Sequence, residues 1–316
     1  VNSYSLSGSC SDDGRFVQIQ LGTLSPVPQP TCSGGVWSLS GWNVSSLSDA
    51  SSIAITADHS DSAGNVATQA TDSVDKDTVL PTVSLDPALD VIIANVSNYS
   101  LSGNCSENGE EVTVAIGSFV PSPQPTCTGG SWSISSQVLS GIADADPLLI
   151  TVDHQDAIGN NAIQANQNVT KDTMAPTVTI DAPTVVNLAN VANYSLSGTC
   201  SEELETVVVT IAGLSPNPTA TCSSSTWTMT ALNLTAVSDS ASLTILADHS
   251  DSVGNPAIQA SASTLKDTSV PSVAINSPDP INIANVSSYS IAGSCTDSGR
   301  EVTVLSLIHI SEPTRP

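Results

Sequence analysis

The stretch YSLSGNCSENGEEVTVAI, residues 99–116, decides the fold. Its first part, Tyr99–Asn104, alternates apolar with polar residues, and Val112, Val114 and Ile116 then alternate with Thr113 and Ala115. That period of two marks half-buried strands. The stretch returns as YSLSGSCSDDGRFVQIQL at 4–21 and as YSLSGTCSEELETVVVTI at 194–211, and begins again at Tyr289. Each step is 95 residues, and Cys10, Cys105, Cys200 and Cys295 keep it, as do Cys32, Cys127 and Cys222. Trp37, Trp132 and Trp227 obey the same spacing, with His59, His154 and His249 and with Lys76, Lys171 and Lys266. A solenoid unit runs about 20–50 residues, so this period describes a whole domain with its own core.

Working outward from 99–116, further strands are expected at 82–85, 91–96, 126–127, 132–135, 148–152 and 162–169. The Pro-rich run 121–125, Gly129-Gly130 and Gly159-Asn160 provide turns between them. Helical periodicity is absent. Counting the split first segment as one strand gives seven, which fits an all-β, immunoglobulin-like sandwich with its termini at opposite poles, units following one another end to end. The repeats read as 1–77, 78–172, 173–267 and 268–304, the first lacking its opening strand and the last cut short. From Leu305 the residues LSLIHISEPTRP leave the pattern and resemble a translated sequencing-library adapter, so 305–316 is set apart as a foreign tail.

Composition bounds the function. Net charge is −24 with only six cations, which leaves no basic footprint for nucleic acid and disfavours anionic lipid heads. No apolar run reaches the length of a membrane span. Two cysteines per repeat, 22 residues apart and without C-x-x-C, cannot close a zinc site. They read as structural disulfides, Cys10–Cys32, Cys105–Cys127 and Cys200–Cys222, with Cys295 left over, and point to an oxidising compartment.

Four landmarks recur in order: Leu101-Ser102-Gly103 before Val112-Thr113-Val114; Gly130-Ser131-Trp132-Ser133; Asp156-Ala157-Ile158-Gly159-Asn160; and Asp172-Thr173 with Pro176-Thr177-Val178. Together they resemble the bacterial Ig-like repeats of large surface adhesins and biofilm-associated proteins, here in a disulfide-bearing form. The resemblance implies secretion, a stalk or adhesive role at the cell surface, and Ca²⁺ at domain junctions.

The residues offer their own calcium expectation. The segment Asp-His-x-Asp-x-x-Gly-Asn recurs at 58–65, 153–160 and 248–255, supplying Asp58 and Asp61, Asp153 and Asp156, Asp248 and Asp251. The loop after the second strand adds Asp12, Glu107, Glu202 or Asp297, and the incoming linker adds Asp77, Asp172 or Asp267. All share one pole, where hard oxygen ligands from three segments would suit Ca²⁺. The competing reading is that these acids only make turns and solvate a surface.

The histidines read as solvent-facing or strand-end residues, since no G-x-S-x-G elbow accompanies them and no catalytic role is expected. The tryptophan is expected in the core, with a sugar-stacking platform as the alternative. Sequons at Asn43, Asn98 and Asn168 match chance in so Ser/Thr-rich a chain. The leading functional expectation is a non-enzymatic stalk that spaces a distal binding region, with host, matrix or glycan contacts lying outside this segment. Repeats that themselves grip a glycan or protein, or an accessory array of a secreted hydrolase, are the alternatives.

Overall fold

The computed structural model describes residues 3–305, so the adapter-like tail beyond Leu305 lies outside the described residues. The chain divides into two compact units, one ending at Thr173 and one starting at Met174.

The first unit holds ten strands: β1 (Tyr4–Ser9), β2 (Val17–Leu21), β3 (Val36–Trp42), β4 (Ala50–His59), β5 (Ala70–Lys76), β6 (Tyr99–Asn104), β7 (Val112–Ile116), β8 (Ser131–Gln137), β9 (Ala145–His154) and β10 (Ala165–Lys171). The repeat at 78–172 shows the complete plan. β6 pairs antiparallel with β8, setting Gly103 opposite Trp132, and β7, β9 and β10 form the second sheet in the order β10-β9-β7. The opening segment serves both sheets. Val83 bridges antiparallel to Cys105, and Val91 bridges parallel to Lys171. The result is an Ig-like β-sandwich.

Alternation builds its core. Val112, Val114 and Ile116 of β7 are fully buried, as are Ile150 and Val152 of β9, Leu139 and Val91. A fully buried aliphatic side chain of this size contributes about 1.5–3 kcal/mol. Trp132 and Tyr99 are buried with them. Burial raises the Tyr99 phenol to about 12, helped by the charge of Asp90. Its hydroxyl donates to the Leu89 carbonyl at 2.6 Å. Cys105–Cys127 closes at the end of β6, with Cα atoms 5.9 Å apart.

Three strand expectations shrink. The segment 82–85 gives only the bridge at Val83. Residues 91–96 give only the bridge at Val91 before the chain turns, because the Asn95 side chain accepts the Ile92 amide and donates to the Asp90 carbonyl. Around 126–127 there is a single bridge, Glu111 to Thr126. There the Gln124 amide substitutes for a backbone partner, accepting from the Val114 N–H and donating to its carbonyl.

The second unit repeats the plan with β11 (Tyr194–Thr199), β12 (Thr206–Ile211), β13 (Thr219–Thr221), β14 (Thr226–Leu232), β15 (Ser240–His249) and β16 (Ala260–Lys266). β11 pairs with β14, and the second sheet runs β13-β12-β15-β16. Cys200–Cys222 is closed. Beyond it β17 (Val273–Ile275) and β18 (Gly293–Cys295) pair only with each other, and Cys295 is free and exposed. Back in the first unit, the repeat at 1–77 carries Cys10–Cys32 and the same pairings, β1 with β3 and β2-β4-β5. Its core is split into two smaller clusters.

Candidate functional site

The recurring Asp-His segment ends a long strand and turns. β9 finishes at His154, which is buried rather than solvent-facing. Its Nε2 accepts the Glu107 backbone N–H at 3.2 Å, which leaves Nδ1 to donate to the Glu111 carbonyl at 3.0 Å. The neutral imidazole thereby ties the loop after β6 to the end of β9. His249 does the same between Glu202 and Thr206, and His59 between Asp12 and Phe16. At the loop acids Asp12, Glu107 and Glu202, the histidine contact is made by the main chain, not the carboxylate.

Asp156 anchors the turn that follows. One carboxylate oxygen accepts the N–H groups of Ile158, Gly159 and Asn160, and the other accepts the Asn160 side-chain amide. Burial pushes this carboxyl up, but the Asn160, Gly159 and Ile158 hydrogen bonds outweigh it and hold it below the usual range. Asp61 with Asn65 and Asp251 with Asn255 repeat the turn. The Asn160 amide also donates to the Asp77 carbonyl of the incoming linker at 3.2 Å, a direct polar link between the two repeats of the first unit.

The expected calcium ligands are spent elsewhere. Both carboxylate oxygens of Asp153 accept from Gln164, as Asp58 does from Gln69 and Asp248 from Gln259. Glu107 accepts from Ser106 and Glu202 from Ser201, while Asp77 and Asp267 cap Val79 and Ser269 two residues on. Among the described residues, Asp172 and Asp297 included, no three His, Cys, Asp or Glu side chains are grouped so as to hold a metal. In this arrangement each of these carboxylates serves its own turn.

The opposite pole carries a feature that the sequence reading passed over. Asp49 receives the Lys76 ammonium on one oxygen and both the Thr78 N–H and hydroxyl on the other. Asp144 holds Lys171 at 2.5 Å and Thr173, and Asp239 holds Lys266 at 2.7 Å and Thr268. Lys171 and Lys266 are almost wholly buried, so their charge needs this partner. Lysine's hydrogen bond is the chief reason that Asp49 and Asp239 fall to about 2, and Asp144 is lowered for the same cause. The signal was present, since Asp49, Asp144 and Asp239 follow the 95-residue step.

Trp132 is buried with Nε1 donating to the Ser84 carbonyl at 3.0 Å, and Trp227 repeats this with Thr179. They belong to the core and offer no face to a sugar. Among the described residues, no helix is long and apolar enough to cross a membrane.

These features define the class: tandem immunoglobulin-like β-sandwich domains carrying an intradomain disulfide. No known family profile matches the chain, and no curated protein does. Among solved structures, the titin I-band fragment I67–I69 is similar over 85% of this chain and 93% of its own, at 10% identity and a TM-score of 0.51. A Ca²⁺-stabilized adhesin that helps an Antarctic bacterium bind ice aligns over 94% and 78% at 21% identity, with a TM-score of 0.38. A tetra-tandem repeat from the extending region of a large adhesion protein aligns over 93% and 84% at 21% identity and 0.32. These likenesses concern the fold.

Proposed function

We propose that this chain is a structural stalk segment of a secreted or cell-surface bacterial adhesin, spacing a binding region located elsewhere. The observation that carries the reading is the connection between the first two repeats. Lys76 and Thr78 are held by Asp49 on one side, and the Asp77 carbonyl is held by Asn160 on the other. A linker with partners on both flanks limits bending, which a spacer requires and a ligand-gripping loop does not. The disulfides support an oxidising, extracellular setting. The acidity suits a long surface protein that must repel its neighbours.

The test is small-angle scattering on residues 1–173 with Asp49→Ala and Asn160→Ala. Loosening the linker should reduce the mean end-to-end dimension and broaden its distribution. An unchanged profile would remove the rigid-spacer argument. Calcium is assayed on the same sample. Because the pole's carboxylates already have partners, chelation is expected to leave the profile unchanged, and a chelator-dependent bend would restore the ion to the junction.

A further inference from the structure

The first and last segments of a complete repeat lie side by side. In the repeat at 78–172 the opening segment starts at the pole of the Asp156 turn, where Val83 bridges Cys105. It runs toward the pole where β10 ends, and there Val91 bridges Lys171 in parallel. Five hydrogen bonds tie this segment to β10. The Val91 N–H donates to the Thr170 carbonyl at 2.9 Å, and the Asp172 N–H donates to the Val91 carbonyl at 3.0 Å. The Thr170 N–H donates to the Asp90 carboxylate at 2.7 Å. The Gln167 side-chain amide accepts from the Ala88 N–H and donates to the Ala88 carbonyl, both at 3.1 Å.

Because the two segments are parallel, a load entering through residues 78 and 172 pulls them in opposite directions along their length. The bonds between them then share the load in shear instead of opening one after another. Behind this seam, Cys105–Cys127 joins residues 22 positions apart. Load crosses that covalent bond, so β7, which lies between the two cysteines, is not drawn out when the rest of the repeat gives way.

We propose that this seam is the load-bearing clamp of each complete repeat, with the disulfide behind it as a redox-dependent stop on extension. The proposal rests on the stalk reading for the direction of load, since a spacer is pulled through its two ends. The repeat at 173–267 has the same seam: Val186 N–H to the Leu265 carbonyl and Asp267 N–H to the Val186 carbonyl, each at 2.9 Å. The Thr264 hydroxyl adds a bond to the Thr184 carbonyl at 2.9 Å. Val185 and Ala262 stand where Asp90 and Gln167 do, and their side chains cannot form the ties of the earlier repeat. The repeat at 78–172 is therefore the stronger of the two. Reduction of a bond that spans 22 residues frees about 8 nm of chain once the clamp has opened, at about 3.5 Å per residue.

Single-molecule pulling of the full chain by its two ends tests this, because forced unfolding is governed by the unfolding rate. The two complete repeats should give steps of equal length at different forces. Asp90→Ala/Gln167→Ala should move the stronger step to lower force, accelerating that unfolding at least about tenfold, and leave the weaker step in place. Asp90 is exposed and Gln167 half-buried, and an unchanged step length shows that the variant repeat is still folded. His154→Ala is the control: it weakens the same repeat away from the seam and should shift the step far less. Reductant should lengthen both steps by about 8 nm. A double variant that shifts neither step, or a control that shifts it as much, would overturn the clamp. Steps of one length with and without reductant would overturn the stop. Scattering separates this result from the stalk reading. A flexible chain that keeps the strong step retains the clamp and loses the stalk, whereas a stiff chain whose steps ignore the seam variant does the reverse.

Discussion

Gly103→Ala tests how the two sheets are stitched together. A Cβ built on Gly103 would lie 2.0 Å from the Ser84 carbonyl oxygen and 2.8 Å from the Trp132 Nε1. No rotamer relieves the first clash, because the obstacle is backbone, so the opening segment must lift away. Three hydrogen bonds to main-chain carbonyls hold residues 84–86 there, besides those of the Ser84 and Asp86 side chains: Ser84 N–H to the Asn104 carbonyl at 2.9 Å, Asp86 N–H to the Ser102 carbonyl at 2.9 Å, and Trp132 Nε1–H to the Ser84 carbonyl at 3.0 Å. At a net value near 1 kcal/mol each, lifting the segment costs about 3 kcal/mol. Gly8→Ala is the internal control, since its methyl would meet the Trp37 ring but no carbonyl. Hydrogen exchange read by mass spectrometry should show residues 84–86 exchanging about a hundredfold faster in Gly103→Ala, as 3 kcal/mol implies. Equal destabilisation by the two substitutions, with 84–86 still protected, would refute the close-approach argument.

Replacing Cys105 and Cys127 together with alanine should lower the stability of that repeat by roughly 3 kcal/mol on the loop-entropy estimate, read by denaturant titration of Trp132 fluorescence. Reductant should do the same to that repeat in the parent chain and leave that repeat of the variant unchanged. His154→Ala strands the Glu107 N–H and the Glu111 carbonyl, so a loss of about 1–3 kcal/mol is expected, with faster exchange confined to the loop after β6. Loop exchange matching the parent would show that the imidazole is dispensable there. The lysine clamps set an acid limit. The Asp49 and Asp239 carboxyls lie at about 2 when folded, below an unfolded value of about 3.9. Their stabilisation is therefore complete above about pH 4 and lost as pH falls through about 2. Asp49→Asn with Asp239→Asn should flatten the acid transition in that window, and an unaltered transition would assign the acid sensitivity elsewhere.

What was legible in the sequence follows from how each interaction is encoded. Val112, Val114 and Ile116 announce β7 because burial on one face of a pleat writes a period of two directly into the chain. Cys105 and Cys127 were readable as a pair because the count per repeat left one partner each. The opening segment was harder. Val91 is fully buried, yet Asn95 turns the chain immediately afterwards, so an apolar run that looks like a strand contributes one bridge. The local bonds of the candidate site were hidden for a related reason. Aspartates brought to one pole by topology look like ligands, but Asp156 has its oxygens filled by amides two to four residues away. Such local bonds leave no trace at long range. The Asp144–Lys171 clamp was visible as two separate periodic residues, and only the fold shows that residues 27 positions apart return to contact.

The positions of these features explain why one sequence can be reused every 95 residues. Each complete repeat carries both halves of a connection: the Asp–Lys–Thr clamp where its last strand ends, and the Asp-x-x-Gly-Asn turn where its first strand begins. In the first unit the two halves converge on three consecutive residues, with Asp49 binding Lys76 and Thr78 while Asn160 reaches the carbonyl of Asp77 between them. Both halves use main-chain atoms of the linker, so its side chains can vary: Val79, Met174 and Ser269 fill one equivalent position without touching the scheme. The threonine hydroxyl and the lysine ammonium are the exceptions, and both residues keep their identity in all three linkers, as does the Asp between them, whose side chain accepts the N–H two residues on at Asp77 and Asp267. Changing Thr78 to valine should therefore loosen the connection, whereas changing Val79 to serine should not. Scattering from residues 1–173 distinguishes the two, and an equal response to both substitutions would mean that general linker composition, rather than the clamp, sets the stiffness.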